Sequence, residues 1–341
     1  MIRKMAWVES AKNLRFRESE IPKLKPNEIL LKTQYSAICG SDLHLYFDIH
    51  PFVKAPSTIG HELSGIVVEV GSEVKGYKEG DMVAPEPILV CGECEYCLRG
   101  NYHMCNSVSY QYRKGQAGFG DYFIVDSRWA HKVPSHVDPK EAALIEPLSV
   151  AVHGVEKAGE MLGKNVTVIG AGAIGTLAAS LCRIKGAAKV WIIDINEYRL
   201  KKAEELSGAI GLNSKTTKVV DQIRDETNGM GCDIVIECTG VEACAIDAIE
   251  MVRKLGTIVQ MGISSKNFES YPYAKILSKE IILKGSQGYC FDFEKSISII
   301  ETGKIDLKKY ITDIFPHTQI NEAFELVAAP DTESMKVLIH Y

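Results

Sequence analysis

The feature that most constrains this chain is the turn Gly170-Ala171-Gly172-Ala173-Ile174-Gly175, set between the apolar run NVTVIG (165–170) and the helical period AIGTLAASLCRIKG (173–186). A glycine-rich turn that leaves a buried strand and enters a helix commits the flanking chain to a strand–helix–strand crossover with parallel strands. Gly170 permits the tight reversal, Gly172 lets a pyrophosphate approach the backbone, and Gly175 lets helix and strand pack closely. The helix start, where Ile174 lies, offers free N–H groups and a positive dipole end to phosphates. Asp194 ends the next apolar run, nineteen residues after Gly175. A carboxylate there accepts ribose hydroxyls and repels a 2′-phosphate, which favours NAD over NADP, while Arg199 is the nearby group that would serve such a phosphate. The expected nucleotide set is Gly170, Gly172, Ile174, Gly175, Asp194 and Arg199. A structural turn with an incidental aspartate is the competing reading.

The texture on either side of this turn differs. Before about residue 145, EILLKTQYSAI (28–38), LSGIVVEVG (63–71) and DYFIVD (121–126) read as strands with irregular connections. From 165 onward, strands at 165–170, 189–195, 233–240, 256–262 and 280–286 alternate with helices such as EYRLKKAEELSG (197–208). The prediction is an α/β protein with a mostly-β domain at 1–147 plus 287–341 and a doubly wound nucleotide domain at 148–286. The closing segment MKVLIHY is expected to fold back onto the first domain, because the parallel sheet already reads as complete by 286.

Composition excludes several classes. A net charge of -5 gives no electrostatic footprint for nucleic acid. No apolar run is long enough for a membrane span, and MIRKMAWVES lacks the apolar core of a signal peptide, so a cytoplasmic location is expected. Ten cysteines in such a chain argue for metal and buried thiols over disulfides.

Cys91, Cys94, Cys97 and Cys105 lie within fifteen residues, a spacing that wraps one tetrahedral zinc in a closed, structural site. Gly92 and Gly100 free the loop 91–105 to turn around the ion. His103 lies in the same loop, but four thiolates already complete the sphere. Cys182, Cys232, Cys238, Cys244 and Cys290 read as small buried hydrophobes.

A second, dispersed set is Cys39, His44, His61, Glu62 and Glu146. Cys39, His61 and a glutamate would give the three ligands and open position of a catalytic zinc. Glu146 sits in the apolar run AALIEPLSVAVHGV, where an unpaired carboxylate is costly and a metal would compensate it. The spacing alone leaves open a buried thiol, a surface histidine and a helix-capping acid.

Gly60-His61-Glu62, followed by Gly65, Gly71 and Val74, resembles the zinc signature of the medium-chain alcohol dehydrogenase family. The cysteine loop, the GAGAIG turn and Asp194 follow in that family's order. Glu146-Pro147-Leu148 is similar to the branch containing sorbitol and other polyol or sugar-acid, threonine and butanediol dehydrogenases. The resemblance implies a GroES-like catalytic domain, a Rossmann domain, two zinc ions per chain (one catalytic, one structural), NAD, and a homotetramer or homodimer. It assigns Cys39, His61, Glu62 and Glu146 to the catalytic zinc, with Glu62 and Glu146 interchangeable as direct or water-mediated ligands. It makes Ser41 the hydroxyl that bonds the reacting alcohol and His44 the proton relay, with Glu62 counted in the catalytic set. The substrate class implied is a polyol, sugar or sugar acid, with L-threonine as the alternative. Gly288, before Tyr289-Cys290, stands where the polyol dehydrogenases carry arginine, which argues against sorbitol itself. Tyr46, His50 and Phe52 are expected to line the substrate site. A non-catalytic zinc- and nucleotide-binding sensor is the reading from another class; the presence of Cys39, Ser41, His61 and Glu146 weighs against it.

Overall fold

A computed structural model describes residues 1–50, 53–264, 266–329 and 331–341. The chain forms two compact units, one of Met1–Glu146 with Phe293–Glu301 and Asp306–Tyr341, the other of Pro147–Asp292 with Thr302–Ile305. The first break thus falls after Glu146 rather than 147, and the return begins at Phe293 rather than 287. Residues just before Phe293 stay with the second unit because Asp292 is anchored there. Its Oδ2 lies 2.9 Å from His153 Nδ1 and accepts from the Cys290 N–H at 2.8 Å.

The second unit is a six-stranded parallel sheet in the order Ile210–Asn213, Lys189–Asp194, Asn165–Ile169, Cys232–Glu237, Val252–Gln260, Ile282–Gly285. Continuous apolar strands such as VTVI and VWII suit a sheet covered on both faces. The strand Ile210–Asn213 escaped the sequence reading because IGLN is short and carries a glycine. Trp191, fully buried, packs with Ile169, Ile193, Val235 and Ile258, and its indole N–H donates to Glu226 at 3.2 Å. Chain order reverses between Asn165–Ile169 and Cys232–Glu237, so the carboxyl ends of these two strands form the switch point where doubly wound sheets bind ligands.

The first unit is built mainly of strands. Its largest sheet runs Ala130–Lys132, Met82–Pro85, Glu62–Val70, Glu28–Ala37, Lys336–His340, Ile311–Pro316, with Tyr122–Asp126 also pairing with Glu28–Ala37. The closing strand does fold back here, antiparallel to Glu28–Ala37 and parallel to Ile311–Pro316. A smaller sheet joins Asn13–Glu20, Ile2–Ser10 and Ser57–Thr58. Ala6, Val8, Ile38, Leu45, Tyr46, Ile59, Phe119 and Phe324 form one core of this unit. Tyr46 therefore belongs to the core and not to a substrate-facing loop. It ends the helix Gly40–Tyr46 on its inner face, 3% exposed, with its ring 5.1 Å from that of Phe324.

Among the described residues, no helix is long and apolar enough to cross a membrane.

Candidate active site and metal centres

Strand register assembles the first site. Ala37 is paired with Glu62 on one side and Leu338 on the other, so the strand ends carrying Cys39, His61 and Lys336 converge. Gly60 turns the chain into this position with φ +94, and a Cβ there would lie 2.6 Å from the ring and backbone of Phe119. The side chains of Cys39, His61 and Glu62 end with their ligand atoms within 4.8 Å of one another.

Two residues overlooked in the sequence complete the arrangement. Asp42 caps the helix Gly40–Tyr46 by accepting from the Cys39 N–H at 2.9 Å through Oδ2. Its other oxygen lies 3.5 Å from His61 Nδ1, which leaves the second ring nitrogen for a metal. Burial alone would lower the His61 pKa, but the charges of Asp42 and Cys39 override it and raise it well above the usual value. Lys336, buried, donates to Glu62 Oε1 at 2.6 Å and to the Ile38 carbonyl at 3.2 Å. Asp42 had a local signal, since it stands three residues past the Cys39 N-cap. Lys336 had none.

Glu146 lies in the first turn of the helix Ile145–Lys157 and is buried, but outside the 4.8 Å group. Burial first, with the Glu62 charge adding and His61 opposing, pushes its pKa up to about 7. Ser41 and His44 occupy the helix that begins at Cys39, three residues apart and so on one face. Burial holds His44 below the ordinary histidine value, neutral at physiological pH. His50 is also buried, and its Nδ1 accepts from the Val53 N–H at 3.2 Å. Phe52 lies outside the described residues.

The four-cysteine loop forms a second group. The sulfur of Cys91 lies 3.4 Å from that of Cys105 and 4.0 Å from that of Cys97, and the Cys94 and Cys97 sulfurs are 3.6 Å apart. A tetrahedron of thiolates at the usual zinc–sulfur distance has edges of about 3.8 Å, so the four fit one zinc. Backbone N–H groups of Cys91 and Ser107 donate to Cys105 Sγ at 3.3 Å. Bonds from the Cys97 and Asn106 N–H groups bring Cys94 down to about 6, toward the thiolate that zinc requires. His103 is not part of this group. Of the remaining cysteines, Cys182 and Cys232 are buried, whereas Cys238, Cys244 and Cys290 are half-buried, which departs from the expectation for those three.

In the second unit the helix Ala173–Ile184 starts directly after the glycine turn. Gly170 has φ +102, and a Cβ on Gly175 would lie 1.8 Å from the Gly170 carbonyl oxygen, so neither position admits a side chain without strain. A Cβ on Gly172 would meet nothing within 4 Å, which leaves that backbone open to a phosphate. Asp194 Oδ2 accepts from the Ala171 N–H at 2.7 Å, while Oδ1 accepts from Ile195 and Asn196 N–H groups at 2.7 and 2.9 Å. The aspartate thus shapes the turn as well as presenting charge at the strand end. Arg199 lies in the first turn of the helix Glu197–Ser207, where its N–H donates to Asn196 Oδ1 at 3.0 Å. Across the switch point, fully buried Glu237 accepts from the N–H groups of Thr239 at 2.7 Å and Gly240 at 3.1 Å, fixing the loop beside Gly170. A carboxylate inside the strand DIVIE carried no sequence signal for that role. The glycine cradle, the helix start and Asp194 together fit a dinucleotide.

Comparison with known proteins agrees with this geometry. The alcohol dehydrogenase GroES-like domain matches residues 25–135, and the zinc-binding dehydrogenase domain matches residues 173–302. The chain is 32% identical over 332 residues to D-xylulose reductase A of Aspergillus niger, covering 94% of this chain and 92% of that one. L-idonate 5-dehydrogenase of Escherichia coli K-12 is 28% identical, with a TM-score of 0.91 over 100% of this chain and 99% of that one. An NADP-bound protein of Sinorhizobium meliloti 1021 that carries the zinc-binding dehydrogenase designation is 29% identical, with a TM-score of 0.92 over 100% of both chains. With both domains matched in order, and with its first unit bringing cysteine, histidine and glutamate together in one group and four cysteines in another, the chain belongs to the zinc-dependent, medium-chain alcohol dehydrogenase family.

Proposed function

We propose that this dehydrogenase oxidises a secondary alcohol of a polyol, sugar or sugar acid to the ketone, with NAD as hydride acceptor. The observation that carries the reading is the meeting of Cys39, His61 and Glu62 at the start of the helix that bears Ser41 and His44. Zinc held there supplies Lewis acidity toward the substrate hydroxyl, and NAD supplies the hydride-accepting ring. Cys39, His61 and one of the acids Glu62 and Glu146 hold the ion. Asp42 keeps the His61 ring turned, and Lys336 holds Glu62. Ser41 takes the alcohol proton, and His44, neutral because it is half-buried, receives it for transfer outward.

Asp194 supports NAD over NADP, although one structural neighbour binds NADP. The polyol and sugar-acid names among the relatives support that substrate class over L-threonine. Free thiols throughout and thiolate zinc chemistry support a reducing, cytoplasmic setting. The test is NADH formation by zinc-loaded protein against a panel of polyols, sugar acids and L-threonine. Turnover on polyols or sugar acids is expected. Turnover of L-threonine alone, or of nothing in the panel, would overturn the reading.

A further inference from the structure

Residues 110–113 set a fixed cation beside the first metal-binding group. The rings of Tyr110 and Tyr112 stack, with centroids 5.7 Å apart and planes at 14°. The Arg113 guanidinium lies 5.5 Å from the first ring and 5.9 Å from the second, and it also bonds the Tyr112 hydroxyl. Tyr112 in turn lies 5.9 Å from the His61 ring, centroid to centroid. The Thr58 hydroxyl donates to the Tyr112 carbonyl, so the backbone carrying this stack is pinned to the strand that leads into Gly60. The guanidinium Nε is fully buried.

The charges around His50 show how closely these groups gather. Burial first, then the charges of Arg113 and His44, with His61 contributing and Asp42 opposing, lower its pKa to about 4. His50 is therefore neutral, and with Nδ1 accepting from Val53 its proton stands on Nε2. The Arg113 guanidinium thus acts on His50 and, through the Tyr112 ring, stands beside the His61 side of a group of ligands suited to a divalent cation. Guanidinium is permanently charged, and its planar fork matches a carboxylate or phosphate with two parallel bonds. The stacked tyrosines hold the fork in place and lower the entropy lost when it closes on a ligand. A neutral polyol makes no use of that charge.

We propose that Arg113 is a specificity-determining residue that binds an anionic end group of the substrate, so that this chain acts on polyhydroxy acids or polyol phosphates in preference to neutral polyols. The proposal deepens the function given above and rests on it.

The test uses the full-length, zinc-loaded protein with pentitols and hexitols, the matching aldonates and the matching monophosphates. For each compound, kcat and KM are measured with NAD, and binding to the NADH-bound protein is measured by calorimetry. The wild type is expected to favour at least one acid or phosphate over its parent alditol by about tenfold in kcat/KM. Arg113→Gln is expected to reduce that ratio by about tenfold, through KM, and Arg113→Lys to retain part of it. The aldonate and phosphate arms distinguish the two sources of the anion. An alditol preference in the wild type, or a ratio unchanged in Arg113→Gln with an unaltered melting transition, overturns the proposal while leaving the polyol reading intact. Absence of turnover on every compound overturns the polyol reading. Calorimetry then decides for Arg113: anion binding that Arg113→Gln weakens supports its role, and equal or absent binding overturns it.

Discussion

The Lys336 ammonium lies 2.6 Å and 2.5 Å from the two carboxylate oxygens of Glu62, with both side chains buried at the edge of the metal-binding group. The pair is a charge-neutral support for a carboxylate that would otherwise be buried without a cation beside Cys39. Burial works against the Lys336 charge, but Glu62 and Cys39 prevail and raise its pKa. Removing one partner of such a pair typically costs about 3–5 kcal/mol, because the other is left charged and unpaired. Lys336→Met is therefore expected to lower unfolding free energy on that scale in urea titrations. The double variant with Glu62→Gln should recover much of the loss. Equal destabilisation by the single and double variants would show that the pair does not act as a unit.

Asp42 is expected to act through His61. Asp42→Asn keeps the shape of the side chain but removes the charge that holds the imidazole. Loss of an outer partner of this kind costs about 10–100-fold in metal affinity or activity. Competition with a zinc chelator, alongside kcat, reads both effects. Unaltered zinc affinity and kcat would mean that the 3.5 Å contact with His61 has no orienting role.

The two metal groups should separate cleanly by mutation. Cys94→Ser is expected to take zinc content from about two ions per chain to about one and to lower the melting temperature, since closed thiolate sites contribute folding energy. Cys39→Ser should also remove one ion, with loss of turnover and little change in melting temperature. Elemental analysis on the purified variants reads the stoichiometry. Two ions retained in either variant would contradict the ligand assignment.

Asp194 has two tasks, and its replacement should affect both. Asp194→Ala removes the acceptor for the Ala171 N–H as well as the charge that discriminates against a 2′-phosphate. NAD affinity is expected to fall by about tenfold, with the preference for NAD over NADP reduced by a similar factor. Fluorescence titration with NADH and NADPH measures each. A selective loss of NADPH binding would assign the site to the other cofactor.

His131 links pH to stability at a place remote from the proposed chemistry. Its Nε2 lies 3.1 Å from Glu86 and its Nδ1 3.0 Å from Glu294, on the helix Phe293–Glu301. Burial alone would lower its pKa, but the two carboxylates raise it to about 9. The folded value exceeds the unfolded one near 6.5, so the stabilisation is complete below about pH 6.5 and disappears as pH rises through about 9. With Glu294 largely exposed to solvent screening, the expected loss is about 2 kcal/mol across that window. Urea midpoints at the two ends of the window measure it, and His131→Gln should flatten the slope.

What the sequence disclosed follows from how local each signal is. The glycine turn, the helix it opens and Asp194 are contained in one crossover, and the four cysteines in one loop, so both could be read without knowing the fold. Cys39, His61 and Glu62 are separated along the chain, and only strand register, with Ala37 opposite Glu62, brings them together. Family resemblance substituted for that register in the sequence reading. Lys336 meets Glu62 across 274 positions and had no such substitute, because an apolar closing strand with one lysine looks like an ordinary edge. Tyr46 misled for the opposite reason: a tyrosine just after a candidate relay histidine suggests a substrate contact, whereas helical rotation turns it into the core.

The strand Lys336–His340 lies between two others in the sheet that also holds Glu28–Ala37. During synthesis the whole of Pro147–Asp292 emerges before this strand does. Domains commonly fold as they leave the ribosome, amino-terminal parts first. Here the chain order reverses that tendency for the amino-terminal unit. The nucleotide-binding sheet has all its strands by residue 285, while the unit begun earlier must wait for its last strand. A ribosome-arrested chain of residues 1–305 would carry a finished parallel sheet and a Glu62 with no ammonium to meet it.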